Sequence, residues 1–170
     1  MSDWGPLIDP LDEDALLDLI KALIAGLKRR KEKLEELQKS GKKEGVAIDL
    51  IIRMITELEA ASVLDGLNAK KTAVKNALAK GDSIVGAIDF LKASIPVNPL
   101  SKYRFLVFLV KLVLQTNKDK KKKTKLEELL KKLEALEKER AQAEKSGDKS
   151  EQDRLEKAID ELQKEIEKEI

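Results

Sequence analysis

The last third of the chain repeats apolar residues at alternating intervals of three and four positions, the spacing of one face of an α-helix. Two such runs occur, at Leu126, Leu129, Leu133 and Leu136 and at Leu155, Ile159, Leu162 and Ile166. Ser146-Gly147-Asp148 separates the runs, and Ser150 is the predicted N-cap of the second helix. A seam this narrow needs a partner surface. The pattern therefore predicts a helical hairpin over residues 119–170.

Charged residues between these apolar positions support the same prediction. An acid precedes a base by four positions in five pairs, the order that stabilises a helix by roughly 0.2–0.5 kcal/mol per pair. The pairs are Glu127–Lys131, Glu128–Lys132, Glu134–Lys138, Asp153–Lys157 and Asp160–Lys164.

The N-terminal part shows a similar seam and predicts a long helix over residues 9–40. Its members follow spacings of three and four: Ile20, Leu23, Leu27, Arg30, Leu34 and Leu37. Asp9 is the predicted N-cap and Pro10 suits the first turn. Asp12, Glu13 and Asp14 would then lie near the positive end of the helix dipole.

Residues 46–116 predict a compact helical core. Ile48, Ile51, Ile52, Ile55 and Leu58 have helical spacing, and Asp65-Gly66 predicts a turn. A short helix capped by Asn68 follows and ends at Gly81, and a further helix begins at Asp82 or Ser83. Pro96 and Pro99 end that helix.

The stretch "YRFLVFLVKLVLQT", Tyr103 to Thr116, is the most apolar of the chain. Only Lys111 is polar between Phe105 and Leu114, so apolar side chains surround the axis and predict a central, buried helix over about 101–116 with Ser101 as its cap. A buried strand is the alternative, but no partner strand of similar character is evident. A membrane span fails on length. The predicted fold is thus an all-α single domain, residues 1–170, of six or seven helices.

Composition excludes several kinds of chemistry. The chain has no Cys and no His, which excludes disulfides, thiol catalysis, serine–histidine dyads and the usual zinc sites. The start of the chain lacks the features of a secretory signal, so we expect a soluble protein, cytoplasmic or recombinant, without a membrane span. The formal charge is only +2, yet residues 126–170 contain 10 basic and 15 acidic side chains. This acidic part is expected to complement the remainder of the chain.

Two groups of residues are candidates for a partner surface. "NKDKKKKTK" contains Lys118, Lys120, Lys121, Lys122, Lys123 and Lys125, as a nucleic-acid or anionic-lipid contact would, although a solvated helix junction explains it as well. No aromatic residue interleaves to stack bases, so no specific nucleic acid is predicted. The run Lys28 to Lys33 allows the same two interpretations. Trp4, with Leu7 and Ile8, either anchors a partner or folds back onto an apolar groove.

Other candidate sites are weaker. Asp9, Asp12 and Asp14 lack the ligand spacing of a calcium loop, and helix capping explains them better. Lys111, if buried, is a conceivable amine nucleophile. We predict no cofactor, no metal site and no catalytic residue.

The residue pattern of residues 11–45 and 118–170 resembles that of computationally designed helical proteins. Strong helix formers cover the surface, acid–base pairs recur, and a "KSGD" loop joins two helices. Residues 63–114 show a weaker resemblance to a caspase-recruitment domain, carried by Val63, Leu64 and Asp65, "AKGDSIVGAIDFL" and a final apolar helix. The first resemblance implies a non-catalytic scaffold or protein-interaction module, monomeric or a small homo-oligomer. The second implies a signalling adaptor that acts by association of like domains.

Overall fold

The computed structural model describes residues 4–41, 43, 45–81, 91–92 and 94–170. Across these residues the chain is all-α, as predicted, without a strand. Seven helices are defined there, with these bounds: α1 Gly5–Ile8, α2 Glu13–Lys39, α3 Gly45–Ser62, α4 Leu67–Gly81, α5 Pro99–Thr116, α6 Lys120–Ser146 and α7 Lys149–Glu169. The predicted start of a helix at Asp82 or Ser83 lies outside the described residues.

Backbone contacts divide the chain into two compact units, Met1–Ile95 and Pro96–Ile170. The division falls inside the segment 46–116 that the sequence predicts as one core. Whether the whole chain behaves as a single domain stays a prediction, and the two units are described separately.

In the first unit, α2 begins later than predicted. The Asp12 side chain accepts a hydrogen bond from the backbone N–H of Ala15 at 2.8 Å, which makes Asp12 the N-cap. The prediction of Asp9 as N-cap is wrong: Asp9 follows α1, and its N–H donates to the Gly5 carbonyl at 2.9 Å. Both Asp9 and Asp12 are suitable N-cap residues by type. Because Asp9 ends α1, Asp12 is the residue that caps α2.

The buried face of α2 contains four of the six residues of the predicted seam, while Arg30 and Leu37 are half-buried. The helix α2 packs against α3, which in turn packs against α4. Buried residues of α2 are Leu16, Leu19, Ile20, Ala22, Leu23, Gly26, Leu27 and Leu34. Gly26 contacts the buried Ser94 so closely that a Cβ atom built on Gly26 would lie 1.7 Å from the Ser94 Oγ. The close contact between Ser94 and α2 is therefore possible only because residue 26 is glycine, which has no side chain.

The helix α4 begins at Leu67, one residue before the predicted cap Asn68, and ends at Gly81 as predicted. Gly66 precedes it with φ of 90°, a left-handed conformation that glycine adopts without strain. The short helix α1 packs against α4. This contact covers α1, whose apolar side chains are almost wholly buried.

In the second unit, α5 confirms the helix predicted over about 101–116 and excludes the strand alternative. Its N-cap is Asn98, whose side chain accepts from the N–H groups of Leu100 and Ser101 at 3.1 and 3.2 Å, so the prediction of Ser101 as cap is wrong. Pro99 fits the first turn because its missing N–H needs no partner there. The buried residues are Phe105, Leu106, Phe108, Leu109, Val110, Leu112 and Val113. Lys111 and Gln115 remain exposed.

The predicted hairpin is formed by α6 and α7. Gly147 ends α6 with φ of 74°, and Asp148, not Ser150, caps α7 by accepting from Glu151 N–H at 3.1 Å. The buried residues of the hairpin are Leu126, Leu129, Leu133 and Ala143 on α6 and Leu155, Ile159, Leu162 and Ile166 on α7. Leu136 of the predicted seam is half-buried. The helix α5 packs on both α6 and α7.

Candidate functional site

The predicted lysine-rich segment forms the N-terminal end of α6. Asn117 follows α5 and accepts a hydrogen bond from Asp119 N–H at 2.8 Å through its side chain. Asp119 then caps α6, because its carboxylate accepts from Lys121 N–H at 3.0 Å. A three-residue connection between two helices therefore holds the lysines in a defined backbone conformation.

We call the six lysines of this segment the lysine end: Lys118, Lys120, Lys121, Lys122, Lys123 and Lys125. All are exposed except Lys123, which is half-buried. Within the part of the chain that the structure describes, none forms an ion pair. The first buried residue of α6 is Leu126, so the lysine end precedes the apolar interface of the hairpin.

The lysine end conflicts with the electrostatics of its own helix. Residues Lys120–Lys123 occupy the first turn of α6, where the unpaired N–H groups already produce a positive potential. Acidic residues are the favourable choice at this position. The clustering of four lysines there is therefore not explained by the stability of α6 alone.

The neighbouring end of α7 offsets part of this charge. Gln152 donates to the Ala143 carbonyl at 3.1 Å and Arg154 lies 3.9 Å from Glu139, which fixes the antiparallel register of the hairpin. Continued along both helices, this register places Glu169 beside Lys125. The acidic C-terminal end of α7, with Glu165, Glu167 and Glu169, thus lies next to the lysine end.

The three apolar residues near the N-terminus that were candidates for a partner surface are buried. Trp4 and Leu7 are each 5% exposed, and Ile8 is fully buried. Their burial agrees with the alternative in which Trp4 folds back onto an apolar groove. The contact that covers them involves α4, which the sequence pattern does not identify as their neighbour.

Ion pairs attach the segment after α1 to α4. The Nζ of Lys75 lies 2.8 Å from Asp9 Oδ1, and Lys71 donates to the Asp9 carbonyl at 2.5 Å. The Asp12 carboxylate accepts the Ala15 N–H as the N-cap of α2. In the described residues no group of three or more acidic side chains is arranged to hold a metal ion. Asp9 and Asp12 thus have structural partners, and Asp12, not the predicted Asp9, is the residue that caps α2.

Among the described residues of the first unit, Lys70 is a buried lysine that the sequence analysis missed. Lys70 is 7% exposed, and its Nζ donates to the Leu64 carbonyl at 2.6 Å and lies 3.4 Å from Glu13 Oε1. Lys111, which the apolar run made the candidate, is exposed. The only signal for Lys70 was its position shortly after the predicted turn at Asp65-Gly66, where a carbonyl at a helix end needs a donor.

The run Lys28 to Lys33 lies on α2, beside a groove that is lined by both polar and apolar side chains. The groove, of about 280 Å³, is lined by Lys28, Lys31, Glu32, Ile52, Ile55 and Thr56. Lys28 lies 3.8 Å from Glu59, and Lys31 lies 3.3 Å from Glu35. Lys28 and Lys31 of this basic run therefore form ion pairs with acids of the same unit, whereas in the described chain no lysine of the lysine end forms an ion pair.

Shifted pKa values belong to groups in structural contacts. Burial raises the pKa of Tyr103, and the nearby charges of Glu134 and Glu137 raise it further. The hydrogen bonds that Arg140 donates to Glu137 raise the pKa of the Arg140 guanidinium. The hydrogen bond from Arg154 lowers the pKa of Glu151. Tyr103, Arg140 and Glu151, together with the charged residues that shift their pKa values, all lie on helices of the second unit.

No protein-family model, curated protein or solved structure matches the chain. Of the helices described, none is long and apolar enough to cross a membrane.

Proposed function

We propose that the chain is a non-catalytic helical scaffold or protein-interaction module, designed in whole or in large part. The regularity of the α6–α7 hairpin carries this proposal. Its apolar interface follows the seam spacing from Leu126 to Leu133 and from Leu155 to Ile166, and Gly147 and Asp148 end one helix and cap the next. Agreement between seam, loop and cap is what a designer imposes on a bundle.

The helix starts support the same proposal. Asp12, Asn98, Asp119 and Asp148 each accept a backbone N–H from the first turn of the helix that follows. Each cap of this kind stabilises its helix by about 1 kcal/mol. Capping at the start of four helices favours a structural role, in which the stable helical framework itself serves as a scaffold.

The use of charge also supports a structural role. Arg140 pairs with Glu137 and Glu144, Arg154 with Glu151, and Lys102 with Asp160, so acids and bases of the second unit neutralise each other across or along helices. A catalytic acid or base has to face a substrate. These side chains face one another.

Size-exclusion chromatography with light scattering tests the proposal. A scaffold is expected to keep one mass, that of a monomer or a small oligomer, over a hundredfold range of protein concentration. An adaptor of the caspase-recruitment type would instead grow into filaments, which electron microscopy detects. Concentration-dependent filaments would overturn the scaffold proposal in favour of that alternative.

A further inference from the structure

We infer that the lysine end of α6 is a docking surface for an anionic phospholipid bilayer, which the second unit meets with this end foremost. The inference is independent of the proposed scaffold role, because it concerns one end of one helix.

The first step is the availability of the charges. Two lysines elsewhere in the second unit form ion pairs: Lys102 lies 2.5 Å from Asp160 and Lys164 lies 3.5 Å from Glu161. Exposed lysines further along α6, such as Lys131 and Lys132, are like the lysine end in that the described residues hold no ion pair for them, but they are flanked by Glu127, Glu128 and Glu134, whereas the lysine end places six lysines within eight residues. Within the described chain, no carboxylate pairs with a lysine of the lysine end. Six ammonium groups are therefore available to an external anion, and clusters of four to eight such groups are typical of contacts with anionic lipid.

The second step is the direction in which the lysines point. Successive residues of an α-helix are about 100° apart around the axis, so Lys120, Lys121, Lys122 and Lys123 point to all sides of α6. A linear polyanion is bound best by a stripe along one face. Lysines distributed around the end of a helix instead suit a broad, negatively charged surface such as an anionic bilayer.

The third step is side-chain chemistry. The lysine end contains no Arg, the residue that binds phosphates in a bidentate geometry, and no aromatic residue lies between Asn117 and Lys125 to stack on a base. Lys is a compact charge on a flexible stem, and it adapts to mobile lipid headgroups. These features favour a bilayer over a nucleic acid.

The fourth step is the position of the acidic residues. The 27 residues of α6 extend about 40 Å, whereas electrostatic effects fall off over about 8 Å at physiological salt. If the lysine end leads, most acids of the hairpin lie too far from the bilayer to be repelled. Asp119, the N-cap of α6, lies within the lysine end and is the nearest acid, and its carboxylate accepts the Lys121 N–H. Glu165, Glu167 and Glu169 are further away, and the register leaves Lys118 and Lys120–Lys123 beyond the end of α7.

Vesicle co-sedimentation of the full chain tests the inference. Phosphatidylcholine vesicles with and without one third phosphatidylserine are compared at low and high salt. The test variant is Lys120→Gln, Lys121→Gln, Lys122→Gln. The matched control is Lys131→Gln, Lys132→Gln, Lys138→Gln, which removes the same charge from exposed positions further along the same helix. Circular dichroism verifies that both variants are folded.

We expect binding only to the phosphatidylserine vesicles, lost at high salt and weakened roughly a hundredfold in the test variant, since each lysine near the surface contributes about a factor of five. The control variant should bind nearly as the unaltered chain does. Equal loss in both variants would overturn the inference, because net charge would then explain the binding. Absence of binding, or tighter binding to duplex DNA than to vesicles at the same salt, would overturn it as well.

Discussion

The Arg140 guanidinium binds the Glu137 carboxylate with two parallel hydrogen bonds, each 2.8 Å long, from Nε to Oε2 and from Nη2 to Oε1. Arg140 continues the seam of α6, three residues before the buried Ala143. Its side chain is only 11% exposed, and its Nη1 reaches Glu144 at 3.3 Å. A charged residue is thus tolerated at an apolar position, because acids at i−3 and i+4 satisfy it.

Arg30 occupies an equivalent place on α2, between Leu27 and Leu34, but without such acids. Its neighbours at i−3 and i+4 are these two leucines, and its Nε is buried without a hydrogen-bond partner among the described residues. The contrast shows that the seam position alone does not decide whether an arginine is satisfied. The residues one turn away decide it.

Replacement of Arg140 should destabilise the hairpin. Arg140→Ala leaves the largely buried Glu137 without its partner and should lower the free energy of unfolding by about 1–2 kcal/mol, a value reduced for partial solvent screening. Chemical denaturation followed by circular dichroism measures it. The matched control is Arg154→Ala, which breaks the exposed pair with Glu151 and should change stability much less. Similar losses in both variants would contradict a special role for the seam arginine.

Tyr103 predicts a loss of stability at alkaline pH. Burial first, and then Glu134 and Glu137, raise the pKa of Tyr103 above its usual value of 10.0, so the folded chain favours the neutral phenol. The stabilisation is complete below the pKa of the unfolded chain and is lost as pH rises through the folded pKa. Tyr103→Phe should therefore flatten the decline of stability above pH 10.

The chain has one Tyr, so its ultraviolet absorbance reports the ionisation of Tyr103 directly. We expect the folded chain to titrate at higher pH than the chain in denaturant. Titration at the same pH in both states would show that the buried environment has no effect on the phenol.

Gly26 should not tolerate a methyl group. An added Cβ would lie 2.6 Å from Ser94 Cβ and 2.9 Å from Ser94 Cα, so side-chain rotation cannot relieve the clash. Gly26→Ala should lower the free energy of unfolding by about 1–3 kcal/mol, more than offsetting the better helix propensity of Ala. Gly45→Ala is the control, since its nearest neighbour, Gln38 Nε2, is 3.7 Å away. A Gly26→Ala variant more stable than the unaltered chain would contradict the close approach.

The N-cap of α7 can be assigned by substitution. Asp148→Ala removes the acceptor of Glu151 N–H and should cost about 1 kcal/mol of stability. Ser150→Ala, at the cap position predicted from sequence, should change stability only slightly. Thermal unfolding of both variants gives the comparison, and the reverse order of the two effects would restore Ser150 as the cap.

The sequence by itself determined the helical class, the α6–α7 hairpin and the helix over about 101–116. These features depend on periodicity and on turn residues, which act between positions a few residues apart. The caps were less certain: Asp9, Ser101 and Ser150 were chosen where Asp12, Asn98 and Asp148 act. Several residues within one turn can accept the same backbone N–H groups, and small differences in the path of the chain select among them.

Only the tertiary structure decided which distant residues meet. It buried Trp4, Leu7 and Ile8 where α1 packs against α4, placed Lys70 rather than Lys111 in a buried position, and brought Ser94 against Gly26. It also paired Lys28, Lys31 and Arg140 with nearby acids, whereas in the described chain the lysines of the lysine end form no ion pair. The physical reason is that burial and ion pairing depend on contacts between residues far apart in sequence, which local spacing does not encode.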